Sequence, residues 1–319
     1  MKSSSNTLSN GVVLNSIGKT YDKGAITAVR DVSFSVQPGE LFGLIGPDGA
    51  GKTSLFRVLT TLLLPDAGTA TVAGYDVVKD FRAIRGIVGY MPGKFSLYQD
   101  LSVEENVNFF ATLFGTTVEE NYELIRDIYV QLEPFKTRRA GKLSGGMKQK
   151  LALCCALIHK PQVLFLDEPT TGVDPVSRKE FWEMLQRLKE QGITILISTP
   201  YMDEAMMCER IALIQGGRIM SIDTPSNIMH AFPTTLYSVR AADAYHLRMD
   251  LLAESFTESC HAFGDEVHLT LVHDASGKAA GRQEVIDAMR ARGHTDVELR
   301  EVEPSIEDCF IRLMGQHHA

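Results

Sequence analysis

Paired cysteines, a surplus of positive charge and long apolar runs are all missing from this chain of 319 residues. Its five cysteines (Cys154, Cys155, Cys208, Cys260, Cys309) are odd in number and form no C-x-x-C pair. That argues against a disulfide framework or a zinc knuckle and for a reducing cytosol. The formal net charge is −8, the opposite of the basic footprint that a nucleic-acid binder presents. The longest unbroken apolar run, Leu151 to Ile158, has eight residues, whereas a membrane-spanning helix needs roughly 20. The opening MKSSSNTLSNG holds one lysine and no apolar h-region, so residues 1–10 are expected to be a short floppy tail and not a secretory signal. Histidine is scarce in the first two-thirds, eight of the nine lying after residue 225. What is present is a globular balance, 44% hydrophobic and 23% charged, in a chain long enough for about two domains.

Along the chain, Val12-Val13-Leu14 and the alternating Val32–Val36 read as short β segments closed by Pro38-Gly39. Leu41–Ile45 is a compact apolar strand that runs into a glycine-rich turn, and Ser54 to Leu64 is apolar at helical spacing. Val163–Leu166 and Ile193–Ile197 have the length and branching of buried parallel strands, with an amphipathic helix from Val176 to Gln191 between them. This alternation predicts an α/β fold with a parallel sheet covered by helices on both faces. A hairpin follows over 211–222, around Gly216-Gly217. From about 226 the pattern changes. Strands at Leu236–Val239, Glu266–Val272 and Asp296–Val302 alternate with helices near 243–255, 281–292 and 305–314. The expected organisation is residues 11–225 as one domain and 226–319 as a small accessory α+β domain of ferredoxin-like type.

Three motifs carry chemistry. Gly46-Pro47-Asp48-Gly49-Ala50-Gly51-Lys52-Thr53 fits G-x-x-x-x-G-K-[ST] between a strand and a helix. Its glycines free main-chain amides to surround a polyphosphate, Lys52 can reach the β- and γ-phosphates, and the Thr53 hydroxyl can ligate Mg²⁺. Nucleoside triphosphate binding follows. Asp167 and Glu168 end a buried apolar strand, where a carboxylate needs a cation. Asp167 is the expected magnesium-side acid, and Glu168 the base that orients or deprotonates water. In Leu143-Ser144-Gly145-Gly146-Met147-Lys148-Gln149-Lys150, Ser144 can cap a helix while the glycines leave amides bare for an anion.

Together these motifs resemble the ATP-binding cassette family. LSGGMKQK is similar to its signature, and the run from Phe165 to Pro175 (FLDEPTTGVDP) to its Walker B and D-loop. The resemblance covers residues 11–225. The ending Glu303-Pro304-Ser305-Ile306-Glu307-Asp308-Cys309-Phe310 resembles that of daunorubicin-resistance-type exporter ATPases. It implies a P-loop NTPase cassette with a parallel core sheet, an N-terminal antiparallel β part and an inserted helical subdomain, binding ATP with Mg²⁺. Two cassettes, a homodimer or a heterodimer, would close head to tail. Each ATP would then lie between one loop (Gly46 to Thr53, with Ser54) and the partner's Ser144, Gly145 and Gly146. Tyr21 matches the aromatic that stacks on adenine, and Asp174 the D-loop acid that couples the two sites. The chain would be the cytoplasmic ATPase subunit of an exporter, peripheral on the inner face of the membrane beside separate permease subunits.

Two positions depart from that pattern. Gly93 stands where the family has glutamine, and Pro200 where it has histidine. Either this site hydrolyses slowly, with a sibling cassette supplying the active one, or the subfamily tolerates both changes. The other readings are a soluble cassette ATPase acting on ribosomes or DNA, and a non-hydrolysing regulatory cassette. The aromatic stretch from Phe95 to Gly115 falls where the family receives a coupling helix, so Phe95 and Leu97 are candidate partner contacts. His261, His268 and His273 are spaced in a way that does not place them on one face of a strand.

Overall fold

The computed structural model describes residues 11–94, 96–272 and 280–317. Residues 1–10, expected as a tail, and Phe95 and His273 lie outside them. The described chain forms two compact units, one ending at Ser226 and the other spanning Asn227–Gly315.

In the first unit, β1 (Val12–Tyr21) and β2 (Ile26–Val36) pair antiparallel across a tight turn. The sequence shows only Val12–Leu14 of β1 because its alternation breaks at Ser16, which sits at φ 51. This bulge shifts the register and returns Ile17 to the buried face. Next come β3 (Leu41–Ile45) and α1 (Lys52–Leu59), then β4 (Ala67–Val72) and β5 (Tyr75–Asp76), which extend the first sheet to the order β2-β1-β4-β5. The helix predicted to reach Leu64 stops at Leu59. Thr60 Oγ1 donates to Phe56 O, Thr61 enters the left-handed region at φ 62, and the amides of Leu62 and Leu63 both return to Arg57 O. Leu62 and Leu64 are thereby exposed.

After α2 (Phe81–Ile87) and β6 (Val88–Met91), three helices form a subdomain: α3 (Val103–Leu113), α4 (Val118–Tyr129) and α5 (Gly145–Leu157). Ser102 with Glu105 caps α3 reciprocally, and Thr117 with Glu120 does the same for α4. The buried Asn106 ties α3 to the preceding loop by accepting from Tyr98 N–H and donating to the Tyr98 and Ser102 carbonyls. The chain then adds β7 (Val163–Asp167), α6 (Pro175–Glu190), β8 (Thr194–Thr199), β9 (Arg210–Gln215) and β10 (Arg218–Asp223). The central sheet runs β10-β9-β3-β8-β7-β6, parallel except for the β9–β10 hairpin. Every residue of β3, β7 and β8 is buried, which is why their central stretches read as apolar runs. Among the described residues, no helix is long and apolar enough to cross a membrane.

A short helix, α7 (Pro225–His230), spans the end of the first unit. The second unit is built from β11 (Leu236–Arg240), α8 (Ala244–Leu252), β12 (Thr257–Phe263), β13 (Glu266–Leu271), α9 (Arg282–Ala291), β14 (Glu298–Val302) and α10 (Ile306–His317). Its βαββαβ core forms an antiparallel sheet in the order β12-β13-β11-β14, the ferredoxin-like topology. Strand β12 is not evident in the sequence, since TESCHAF has one strongly β-forming apolar residue at its end; pairing with β13 creates it. That pairing brings together two histidines that do not share a strand. His261 and His268 lie on neighbouring strands, directly opposite each other in register.

His268 explains the chain's ending. Its Nδ1 lies 2.7 Å from Asp308 Oδ1, while the other oxygen of Asp308 accepts from the amide and hydroxyl of Ser305 at the start of α10. Burial opposes the charge on His268, but Asp308, aided by Glu266 at 3.8 Å, outweighs it and raises the histidine pKa. Burial likewise opposes the Asp308 charge, yet its hydrogen bonds from His268 and Ser305 lower that pKa. Stabilisation by the histidine is full below its unfolded pKa of about 6.5 and is lost as pH rises through the raised folded value. We therefore expect the thermal midpoint of the full chain to fall between about pH 6 and about pH 9 by more than in the His268→Asn variant. An identical fall in both would remove this pair from the account.

Candidate nucleotide site

Parallel α/β sheets present ligand sites at the carboxyl ends of their strands, and β3, β7 and β8 end side by side here. The Gly46 amide donates to Thr199 O at the end of β8. A Cβ at Gly46 would lie 2.2 Å from Ile214 O, so only glycine fits. Gly51 is held at φ 103, with its Cβ position 2.2 Å from Ala28 O. Pro47, Asp48, Gly49 and Ala50 form the turn between them, closed by Ala50 N–H donating to Pro47 O. Gly51 offers α1 no side-chain cap, so the first amides of the helix stay available to an anion.

Lys52 is buried and turned back into the loop. Its Nζ donates to Gly46 O at 2.7 Å and Pro47 O at 3.0 Å, and lies 3.1 Å from Glu168 Oε1. The pairing of the motif lysine with the candidate base was not visible in the sequence. Ser54, in the first turn of α1, shares a hydrogen bond with the Tyr21 hydroxyl at 3.0 Å, fixing that ring beside the start of the helix.

Asp167 ends β7 as a buried carboxylate. Its protein partner is the Ser198 hydroxyl at 2.6 Å, and no ion pair reaches it among the described residues. Nearby, burial, and then proximity to Asp167, push the Tyr90 phenol up to about 12. A buried acid with no protein cation, at the same end of the sheet as the Thr53 hydroxyl in the first turn of α1, is a hard-oxygen donor set of the kind Mg²⁺ takes. The residues present therefore fit that ion. Glu168 follows at φ 51, an unusual conformation for a non-glycine residue.

Gly93 lies against this pair, with its Cβ position 3.1 Å from Asp167 O and 3.8 Å from Glu168 Cβ. A glutamine at this position would thus project beside both acids. Pro200 follows directly on Thr199, and the turn beyond is fixed by Tyr201 N–H donating to Thr199 Oγ1. The Arg178 guanidinium covers the Tyr201 ring at 4.5 Å and pairs with Asp203. Neither Ser198 nor this arginine cluster was singled out by the motifs. The one hint was a hydroxyl residue ending an otherwise apolar strand.

The Ser144 motif forms a separate arrangement. Ser144 Oγ caps α5 by accepting from Met147 N–H, and no hydrogen bond joins Ser144, Gly145 or Gly146 to residues 46–53 among the described residues. Gly145 and Gly146 lie instead against the segment after β7, their Cβ positions 3.5 Å from Gly172 O and 2.7 Å from Ser177 Oγ. Asp174 caps α6 by accepting from Ser177 N–H, and that hydrogen bond lowers its carboxyl pKa. The signature glycines and the D-loop acid therefore meet through Ser177. A further apolar groove of about 600 Å³ opens between the central sheet and the helical subdomain, lined by Leu62, Leu97, Phe110, Leu113, Phe114 and His159 among others.

Residues 29–171 match the ABC transporter domain family. Over 308 residues the chain is 37% identical to the probable multidrug ABC transporter ATP-binding protein YbhF of Escherichia coli, covering 95% of this chain but 52% of that protein. The chain thus spans about half the length of that relative. It is 33% identical over 313 residues to the doxorubicin resistance ATP-binding protein DrrA of Mycobacterium tuberculosis, covering 95% of this chain and 93% of the other. Among solved structures, the ATP-binding cassette MJ0796, a dimer in a post-hydrolysis state with ADP and Pi, aligns with a TM-score of 0.61 and 25% identity over 67% of this chain and 98% of that one. Motifs, strand order and a relative covered almost end to end agree: this chain belongs to the ABC transporter family of ATP-binding proteins, and its first unit has the cassette fold.

Proposed function

We propose that this chain is the ATP-binding subunit of an exporter, binding Mg-ATP between two cassettes and driving separate membrane subunits. The observation that carries the reading is the convergence of the glycine-locked loop, Lys52, Asp167 and Glu168 at one sheet edge. In this reading the amides from Gly46 to Thr53 surround the phosphates, and Tyr21, anchored through Ser54, supports the adenine. Thr53 and Asp167 hold Mg²⁺, which supplies charge neutralisation on the phosphate oxygens when bound. Lys52 leaves Glu168 for the phosphates, and Glu168 is then free to take a proton from the attacking water. Ser144, Gly145 and Gly146 of a second cassette cover the γ-phosphate, with Asp174 linking the two sites. The solved cassette that is a dimer with ADP and Pi supports the pairing of two cassettes around nucleotide. Gly93 and Pro200 leave two contacts out, so turnover is slow relative to binding.

The groove is the docking site for the membrane partner. Leu97 is buried and Phe95 lies outside the described residues, so the exposed Leu113 is the cleaner probe. Leu113→Asp should reduce transport by about tenfold or more with ATP affinity unchanged, since a charge cannot enter an apolar interface without large cost. Transport at the unsubstituted rate would remove the groove from the coupling path. The names of two relatives, multidrug and doxorubicin resistance, support an amphiphilic drug-like cargo. The decisive experiment is affinity purification from detergent-solubilised membranes. A polytopic protein recovered in stoichiometric amount supports the exporter; ribosomes or DNA in its place would overturn it.

A further inference from the structure

Ser198 touches both acids of the site. It is fully buried at the end of β8, directly opposite Asp167 in the parallel register. Its hydroxyl donates to Asp167 Oδ1 at 2.6 Å, and the Glu168 amide donates both to Ser198 O at 3.0 Å and to Ser198 Oγ at 3.2 Å. One residue therefore fixes the side chain of the first acid and the main chain of the second.

Both restraints have a physical purpose. With Oδ1 held, Asp167 Oδ2 has no protein donor among the described residues and is the oxygen left to face a cation. Glu168 sits at φ 51, a conformation that persists only where surrounding contacts hold it, and its amide is held here at two points. Gly93, whose Cβ position lies 3.1 Å from Asp167 O, brings no hydrogen-bonding side chain to this region. We propose that Ser198 is the positioning residue of the site, setting the orientation of Asp167 toward Mg²⁺ and of Glu168 toward water from beneath the sheet edge. This rests on the reading of Asp167 as the magnesium-side acid.

The test measures binding of a fluorescent ATP analogue by the full chain, with EDTA and with millimolar Mg²⁺, for the unsubstituted chain, Ser198→Ala and Ser198→Thr. Hydrogen-bond partners of metal ligands typically change metal affinity by about 10–100-fold when removed. In Ser198→Ala, affinity in EDTA should stay within about twofold, while the gain on adding Mg²⁺ shrinks by roughly tenfold or more. Ser198→Thr, which keeps the hydroxyl, should restore that gain. An undiminished gain in Ser198→Ala overturns the proposal, as does an equal loss with and without Mg²⁺, which marks general damage to the loop. If the unsubstituted chain binds no nucleotide under either condition, the parent reading falls and this one with it.

Discussion

Replacing Lys52 with alanine should abolish detectable Mg-nucleotide binding, a loss of at least about 10²-fold in affinity. The scale follows from its contacts. The ammonium already donates to two loop carbonyls and pairs with Glu168, so it is oriented at the mouth of the loop before any ligand arrives. Hydrogen bonds with one charged partner contribute about 1.5–3 kcal/mol each, and a polyphosphate offers more than one. Removing the ammonium also leaves Glu168 without its cation, facing the incoming phosphates as a like charge. Lys52→Met, which keeps most of the apolar stem, should show the same loss and thereby separate charge from packing. Calorimetry with millimolar Mg-ATP is the measurement. Retained binding in both variants would end the phosphate-loop assignment, and the functional reading with it.

What the sequence could disclose about this site follows from where each determinant lies along the chain. The loop from Gly46 to Thr53 is local: its glycines answer to steric demands from Ile214 and Ala28, but the demand shows as glycine in a contiguous motif. The Asp167-Glu168 pair is legible for a similar reason, because charge at the end of an all-buried strand is costly enough to stand out. Ser198 and the Lys52–Glu168 pair are not legible. They depend on β8 lying between β3 and β7, and strand order is a property of the whole sheet. The errors in the fold have the same origin. The apolar periodicity of α1 continues to Leu64, and only the hydrogen bonds around Arg57 O end the helix earlier. Strand β12 carries too few β-forming residues to be seen alone and owes its existence to the cross-strand partners in β13, including the Ser259–Thr270 hydroxyl contact at 2.7 Å. The motif from Glu303 to Phe310 is legible only as a resemblance. Its physical content, a helix start tied by Asp308 to His268, appeared only with the tertiary pairing.

Restoring the two absent side chains should raise turnover without tightening nucleotide binding. Pro200→His is the better single change. Position 200 is partly exposed, its proline already forgoes an amide donor, and the turn after it is held by Tyr201 N–H on Thr199 Oγ1, so an imidazole can be added without disturbing the acids. Gly93→Gln is tighter, because its Cβ would stand 3.1 Å from Asp167 O and the strand end must yield by a few tenths of an ångström. A preorganised contact to charge developing in the transition state is worth about 10²–10³ in rate. The increase expected for Pro200→His is therefore about 10²-fold in kcat, with KM nearly unchanged, since the contact acts in the transition state more than in the bound ground state. The gain for Gly93→Gln alone should be smaller, because part of the new contact is offset by displacement of Asp167. The double variant should exceed either single one, and a departure from additivity would show that the two side chains act on the same pair of acids. Equal turnover in the unsubstituted homodimer and Pro200→His would mean that the two departures cost the site nothing. In that case the arrangement around Ser198 would have to supply the whole of the positioning, and the slow-site reading would be wrong.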